Sequence, residues 1–542
     1  MKLKKFVAIT LVVLILAVQG LAACTIFAVG KDATVDGSTM TSHTCDSNGD
    51  DLRLWLIPSM EAGTSRDVVL NGRKGADYSQ FPEVKDYGVN GMVMGSYTPE
   101  KKTNQYLHAM YSFANDKGLA MGESTCSYDR NTDQGKKLKD AYGATEGIYD
   151  CYMLQDLALE NCSTAREAVE FMGKMVEEYG WNGAAECINI CDGNEAWVME
   201  IYGGNIWVAA RVPDNAVFVA ANRCRIIEFI EDDPENYLYA PNIKDFALEY
   251  DLWDGVSAFE PCNIFAPSTS LLCTLREWRA IMLLDPSLNL VPPTPEYGGD
   301  PDDYPMFVVP KEKVSVKTIH DISSDYYQGT EFDTSRTLWA GPFGNPINTN
   351  YAYRPINMIR CTYIQIANVK AWLPEEARCL VWFGWGAPLT TYLTPVFASQ
   401  TELAPHFGRG VRTEFDENSG WWNLSHVQQL SSIVWNSSKG SSIEDIRAVR
   451  DPKMEKIYKQ VASVQDMAAS MINLGMKEEA VDYLTTYANF VATDWFDTYA
   501  ELGDMLEAKY MLGNVNMSIP AADQWFMDLL NENLGDKLRP IE

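Results

Sequence analysis

The sequence lacks most of the short motifs that identify familiar enzyme classes. It contains no G-x-S-x-G nucleophile elbow, no G-x-x-x-x-G-K-[ST] phosphate loop, no dinucleotide-binding fingerprint and no H-E-x-x-H metal motif. Its five histidines are scattered and do not have the spacing of metal ligands: His43, His108, His320, His406 and His426. These absences argue against nucleotide, dinucleotide and metal chemistry, and we expect neither a metal nor another cofactor.

Basic residues are also scarce. Lysine and arginine total 44 against 74 aspartates and glutamates, which gives a formal net charge of −30. A field of this sign repels nucleic acid and anionic lipid, so we expect neither as a partner. Beyond the amino terminus no apolar run is long enough for a membrane span. Hydrophobic residues make up 46% of the chain and include 15 tryptophans, so it can bury a large core and keep its acidic residues on the surface.

The first 23 residues are typical of an export signal. A basic start, MKLKK, is followed by the apolar run Phe6 to Val18 and by the small residues Ala22 and Ala23. We therefore exclude residues 1–23 from the fold and expect the mature protein to be exported, to the periplasm or the medium.

Cys24 lies where this signal should be cut. If cleavage exposes it, one residue carries both a thiol and a free α-amine, which together are a nucleophile and its base. These groups titrate near ~8.5 and ~8. A lipoprotein is the alternative, because Leu21-Ala22-Ala23-Cys24 fits a bacterial lipobox. Lipidation would consume both groups and leave a non-catalytic protein anchored to the membrane. Cleavage before Ala23, followed by removal of that residue, is a third route.

Residues 24 to about 225 have mainly the pattern of β-strands. The run after Cys24 should form an edge strand, and Tyr106 to Phe113 should form another strand. Two helices are predicted, Ile148 to Glu160 and Thr164 to Tyr179, and Glu167 is placed for a capping box in the second.

Later segments are more helical. The spacing predicts a helix at Leu271 to Leu284 and, beyond about residue 420, helices at Ile443 to Ser470, Lys477 to Phe490 and Trp495 to Met511. Cys187 and Cys191 flank a short apolar run, which favours buried strand thiols over a metal or redox pair.

Several stretches together resemble one known family. They are CTIFAVGKDATVDGSTM (24–40), NDKGLAMGEST (115–125), NEAWVMEIYGG (194–204), RVPDNAVFVAANRCRI (211–226) and LVWFGWGAPLTTYLTPVFA (380–398). In this order they resemble the cysteine dipeptidases of the N-terminal nucleophile (Ntn) hydrolase superfamily, the dipeptidase A and secernin group.

The resemblance implies an α+β fold, a four-layer αββα sandwich of two antiparallel sheets. The catalytic domain would span 24–400, and a helical carboxy-terminal region, 401–542, would pack on it. Cys24 would cleave dipeptides through a thioester, without a cofactor. Non-peptide amides, the substrates of related acylases, remain an alternative, and homo-oligomerisation is open.

The resemblance also implies roles for three residues besides Cys24. Asp46 matches an acidic residue near the amine of the nucleophile. Asn222 matches an asparagine at a strand end, and its side-chain N–H could stabilise an oxyanion. Glu123, in the matching G-E-S-T, would line the site.

The sequence departs from the family pattern three residues before Asp46. An arginine or a related residue is usual there, whereas this chain has His43, whose charge depends on protonation. Arg360 is our candidate for a second cation at the site, and Arg354 is its rival.

Overall fold

The computed structural model describes residues 24–47, 52–70, 92–145, 147–347, 353–412 and 414–534. The predicted export signal therefore lies outside the described residues. Among the helices that the structure does describe, none has the length and apolar character needed to cross a bilayer.

Most of the described strands build two antiparallel sheets. The strands are β1 (Cys24–Val29), β2 (Thr39–Cys45), β3 (Trp55–Ile57), β4 (Arg66–Leu70), β5 (Met92–Tyr97), β6 (Tyr106–His108), β7 (Ser112–Asn115), β8 (Ala120–Cys126), β9 (Ala185–Cys191), β10 (Ala196–Gly203), β11 (Ile206–Val212), β12 (Val217–Ala220), β13 (Tyr237–Tyr239), β14 (Phe307–Val308), β15 (Tyr363–Val369), β16 (Cys379–Trp385) and β17 (Thr394–Phe397). One sheet has the order β14-β12-β1-β2-β15-β16-β17, and the other has the order β13-β11-β10-β9-β8-β7-β6-β3. β4 and β5 form a separate two-stranded ribbon.

Helices cover the outer faces of both sheets. They are α1 (Asp133–Ala144), α2 (Cys151–Asn161), α3 (Ala165–Tyr179), α4 (Ile243–Glu249), α5 (Pro261–Phe265), α6 (Leu271–Leu284), α7 (Val316–Ser323), α8 (Glu375–Arg378), α9 (Gly420–Ser431), α10 (Ser442–Asn473), α11 (Lys477–Tyr510) and α12 (Gln524–Leu534). α2 and α3 pack on the eight-stranded sheet, whereas α6, α9 and α11 pack on the seven-stranded one. The predicted α+β sandwich with a helical carboxy-terminal extension is therefore confirmed, while the domain boundary at residue 400 stays a prediction.

The prediction that the strand at Cys24 is an edge strand was wrong. β1 lies inside the seven-stranded sheet, where it pairs with β2 on one side and with β12 on the other. The local pattern could not reveal this because the second neighbour, β12, comes almost 200 residues later in the chain. As a result Cys24 is fully buried.

Other sequence predictions were confirmed or need correction. Thr164 and Glu167 form the expected capping box at the start of α3, and Cys187 and Cys191 are buried on β9. The run from Tyr106 to Phe113 is not one strand, because a turn separates β6 from β7. The two helices predicted between Lys477 and Met511 are a single helix, α11.

A glycine and an asparagine hold the two sheets close together beside Cys24. A Cβ atom on Gly122 of β8 would come within 2.7 Å of Asn189 Oδ1 and 2.9 Å of His43 Cβ. Asn189 donates from Nδ2 to the backbone oxygens of Phe27 and Ser42, at 2.6 and 3.0 Å. This close approach brings the side chains of β8 to those of β1 and β2.

We expect Gly122→Ala to destabilise the protein. The added methyl group has no room between the sheets, and overpacking of this kind costs about 1–3 kcal/mol of the free energy of unfolding. The control is Gly143→Ala in α1, where no atom lies within 4 Å of the added methyl group; it should be neutral or stabilise by up to ~1 kcal/mol. Urea unfolding measures both, and equal effects would contradict the close packing.

Candidate active site

The sulfur of Cys24 lies between the two sheets, against a carboxylate. Its Sγ is 3.1 Å from Oε1 of Glu123 on β8, and both side chains are fully buried. Burial raises the pKa of the Cys24 thiol well above its usual value, and the Glu123 charge adds to that rise. The thiol is therefore protonated at neutral pH, so it requires a base to become a nucleophile.

The nitrogen of Cys24 has a side-chain acceptor. It donates to Oδ1 of Asn222 at 2.9 Å. Asn222 lies just beyond β12, separated from its last residue by Ala221. It has a positive φ of 64°, a conformation that asparagine adopts more readily than most residues. Its backbone N–H donates to Ser124 Oγ at 2.8 Å, and its Nδ2 donates to the Thr125 oxygen at 2.7 Å. These contacts favour a role in orienting the Cys24 nitrogen, and the oxyanion role stays a prediction.

Arg276 joins these groups, and sequence reasoning missed it. Its guanidinium donates to Cys24 O at 2.7 Å, Thr25 Oγ1 at 3.0 Å, Ala221 O at 3.0 Å, Asn222 Oδ1 at 2.8 Å and Leu272 O at 2.6 Å. All five guanidinium N–H groups therefore have an acceptor. The side chain is fully buried in α6. A charged residue inside the apolar run LLCTLREWRAIMLL was the signal that could have indicated it.

Asp46 is paired with Arg354 rather than with Arg360. It follows β2, next to Cys45, whose Cα lies opposite that of Cys24 in the ladder. A buried ion pair joins its Oδ2 to the guanidinium of Arg354. Burial raises the pKa of Asp46, and the charge of Arg354 opposes that rise. Arg354, the alternative to Arg360 in the sequence analysis, is therefore the cation in contact with Asp46.

Arg360 lies in the turn before β15 and not in the strand. It is close enough to Asp46 to help stabilise the carboxylate charge. It also lines a cleft of about 430 Å³ whose other walls include Arg412, Trp421 and Trp422. Arg360 is thus half-buried beside this cleft, whereas Asp46 is fully buried.

His43 and a second buried glutamate surround Glu123. His43 Nε2 is 3.0 Å from Glu123 Oε1, at ion-pair distance but without hydrogen-bond alignment. The imidazole ring lies edge-on to Tyr111 and Tyr363, with ring centroids 5.5 Å apart in each case. Glu186 on β9 lies beside Glu123, with one carboxylate oxygen of each within 4.8 Å of the other. Sequence reasoning missed Glu186, although an acidic residue in the apolar strand AECINIC was a visible signal.

The pKa values of the two glutamates are shifted in opposite directions. Burial and the neighbouring Glu123 charge raise the pKa of Glu186 well above its usual value. Burial would also raise the pKa of Glu123, but its interactions with the neighbouring Glu186 and His43 outweigh it and lower the pKa to about 2. Glu123 is therefore the ionised member of the pair and Glu186 the protonated one.

The same atoms include donors that a metal ion could use. One sulfur, nitrogen or oxygen atom from each of Cys24, His43 and Glu123 lies within 4.8 Å of the others, and thiolate, imidazole and carboxylate are zinc ligands. A second such group is Glu123, Cys151 and Glu186. The absence of a metal from the reaction stays a prediction from the sequence.

Comparisons with known proteins agree with a peptidase site. The sequence profile of Peptidase family C69 matches residues 23–447. A "Probable dipeptidase" of Latilactobacillus sakei is 24% identical over 89% of this chain and 94% of its own length. A "Dipeptidase" of Bifidobacterium longum is 26% identical over 77% of this chain and 79% of its own. The "Dipeptidase A" of Lactobacillus helveticus is 26% identical over 89% of this chain and 96% of its own.

We expect Glu186→Gln to change the pH dependence of stability. A carboxyl group whose pKa is raised in the folded protein stabilises the fold below its unfolded value of 4.5, and this contribution is lost as the pH rises through the folded value. Glutamine does not titrate. Between pH 5 and 8 the free energy of unfolding of the variant should therefore rise relative to wild type, by at most about 1.4 kcal/mol per pH unit.

Urea unfolding at pH 5 and pH 8 measures this change. Glu249→Gln, an exposed position at the end of α4, is the control and should show no such difference between the two pH values. If Glu186→Gln changes the free energy of unfolding equally at pH 5 and pH 8, a protonated Glu186 in the folded protein is contradicted.

Proposed function

The chain belongs to peptidase family C69, and we propose that it is an exported dipeptidase whose nucleophile is Cys24, exposed as the amino-terminal residue when residues 1–23 are removed. A cysteine-type peptidase is the class that the family gives. The names of the relatives support dipeptides as substrates. The reaction needs no cofactor in this proposal, and the partner is a small peptide rather than nucleic acid.

The observation that carries this proposal is that both functional atoms of Cys24 have partners of their own. Sγ contacts Glu123, and the nitrogen is held by Oδ1 of Asn222, which Arg276 holds in turn. An amide oxygen accepts equally well from a peptide N–H before cleavage and from an α-amine after it. The site is thus compatible with a nitrogen that is first a peptide group and then a base.

Arg276 would keep the α-amine in its basic form. Its guanidinium is 2.7 Å from the backbone oxygen of Cys24. A fixed positive charge therefore contacts the same residue that carries the α-amine. A nearby like charge disfavours the protonated form of an amine. The amine can then take the proton of the buried thiol, which would not ionise alone.

The cycle follows from these positions. The amine of Cys24 removes the thiol proton, and sulfur forms a bond to the carbonyl carbon of the substrate. The resulting oxyanion is proposed to accept a hydrogen bond from Asn222. The protonated amine returns its proton to the leaving nitrogen, the peptide bond breaks and a thioester remains. Water, deprotonated by the same amine, then hydrolyses the thioester and restores the thiol.

We expect Cys24→Ser to fold but to lose dipeptidase activity. An alcohol is much less readily ionised than a thiol, and the loss in kcat/KM should be about 10³-fold or more. Release of free amino acids from a dipeptide panel measures it. Cys379→Ser, at a buried cysteine of β16, is the matched control and should remain active. Near-normal turnover by Cys24→Ser would remove this thiol from the mechanism.

The mass of the exported wild-type protein completes this test. It should equal that of residues 24–542 with nothing added, and the first residue should react with both amine and thiol reagents. A lipid-sized increment, with the protein in the membrane fraction, would instead establish the lipoprotein alternative and end the catalytic proposal.

We expect Arg276→Lys to lower kcat by about 10²-fold with a smaller change in KM. Lysine keeps the charge but has three N–H donors instead of five, so the Cys24 nitrogen loses its orientation. Steady-state kinetics measures this split. The control is Arg279→Lys on the same helix, because Arg279 pairs with Asp325; it should keep a kcat close to that of wild type. A change confined to KM would make Arg276 a substrate-binding residue.

A further inference from the structure

Glu123 is a carboxylate without a permanent cation of its own. Among the described residues its partners are His43, Cys24, Glu186 and Thr125. None of these is a lysine or an arginine. Asp46, the other carboxylate near the sulfur, is neutralised by Arg354. Among the described residues Glu123 therefore lacks a permanent cation, because the imidazole of His43, 3.0 Å away, carries a charge only when it is protonated.

This charge opposes the chemistry that Cys24 is proposed to perform. A carboxylate oxygen 3.1 Å from Sγ disfavours a thiolate, and it is the second-largest cause, after burial, of the raised pKa of the thiol. Burying an unmatched charge is costly in itself. A cation that arrives with the substrate would remove both costs at once.

The α-ammonium group of a peptide is such a cation, and it has the right reach. Standard bond lengths place the α-nitrogen about 2.5 Å from the carbonyl carbon of the same residue. That carbon must approach sulfur to about 3–3.5 Å before attack. Because Oε1 of Glu123 is itself 3.1 Å from the sulfur, these lengths allow a substrate in position for attack to place its ammonium group within hydrogen-bond reach of Glu123.

We infer that Glu123 binds the α-ammonium group of the first residue of the substrate, so that the enzyme selects peptides with a free amino terminus. This inference rests on the proposed function. Binding would also neutralise the charge beside Cys24, so that the thiol becomes easier to ionise only when a substrate with the right group is present.

Glu186 determines how much negative charge the Glu123–Glu186 pair presents to a substrate ammonium group. Its carboxylate lies within 4.8 Å of that of Glu123, and its raised pKa favours the protonated form. The pair then carries one negative charge, which one ammonium group would neutralise. The other titratable groups near the two glutamates are His43, Cys151, Tyr111, Tyr152 and Tyr363. The other titratable groups near the sulfur of Cys24 are Cys45, Asp46 and Arg354. With Asp46 matched by Arg354, Glu123 remains the group that responds to a bound cation.

The first test compares three substrates with the wild-type enzyme and needs no variant. They are alanyl-alanine, its N-acetyl derivative, and lactoyl-alanine, in which a hydroxyl replaces the amine. We expect kcat/KM to fall by at least about 10²-fold for both analogues, because the site loses the cation that its buried charge requires. Equal hydrolysis of lactoyl-alanine and alanyl-alanine would overturn the inference and leave the dipeptidase proposal intact. No hydrolysis of any dipeptide would instead count against the proposed function.

The second test repeats the comparison with Glu123→Gln. This variant should lose about 10²-fold in kcat/KM for alanyl-alanine and much less for lactoyl-alanine, which has no ammonium group to bind. Glu186→Gln is the matched control, because it replaces a protonated carboxyl group and should keep the preference for the free amine. Equal losses for both substrates in Glu123→Gln would assign Glu123 a role that does not involve the amine.

The third test reads the thiol directly and does not depend on turnover. The pH profile of alkylation of Cys24 by iodoacetamide should move to lower pH in Glu123→Gln and should stay near that of wild type in Glu186→Gln. An unchanged profile in Glu123→Gln would overturn the electrostatic part of the inference. Loss of wild-type activity in a chelator, with recovery on adding zinc, would also overturn it, by giving the charge of Glu123 to a metal.

Discussion

The buried guanidinium of Arg276 is the interaction on which the geometry around Cys24 depends. It joins the first residue of β1 to the end of β12 and to its own helix through five hydrogen bonds. Charge-assisted hydrogen bonds in a fixed fork restrict position more tightly than apolar packing does. The orientation of Asn222, and through it that of the Cys24 nitrogen, follows from this one side chain. Moving this side chain would leave a buried charge without its hydrogen-bond acceptors, which is strongly unfavourable.

The other ionisable groups of the site differ in whether a permanent cation neutralises them. Asp46 and Arg354 form a buried ion pair, and Glu186 holds the proton that lets Glu123 alone be ionised. The remaining charge lies against the sulfur. In the proposed mechanism the resting site is thus unfavourable for the thiolate and becomes favourable when substrate brings a cation. This gives the buried carboxylate a purpose that neither packing nor the stability of the fold supplies.

Sequence reasoning found the elements of the fold better than the partners within the site. The periodicity of α6 gave its bounds, Leu271 to Leu284, yet it did not single out Arg276 within that helix. Arg354 and Arg360 lie six residues apart around one loop, and nothing local distinguishes which of them meets Asp46. Glu186 lies in a strand that reads as apolar. In each case the missing information was which other segment the side chain faces.

The sequence by itself indicated a first half rich in strands, the helices α2, α3, α6 and α10, the capping box of α3 and the position of Cys24 behind a predicted export signal. These features depend on side-chain periodicity and on hydrogen bonds between near neighbours, which a short window of sequence contains. Only the tertiary structure decided that β1 is an interior strand and that Cys24 meets Glu123, Asn222 and Arg276. Those contacts join residues 99, 198 and 252 positions apart. Such pairings are decided by how the two sheets and α6 pack together, because the energy that selects them comes from burying surfaces that are distant in the chain.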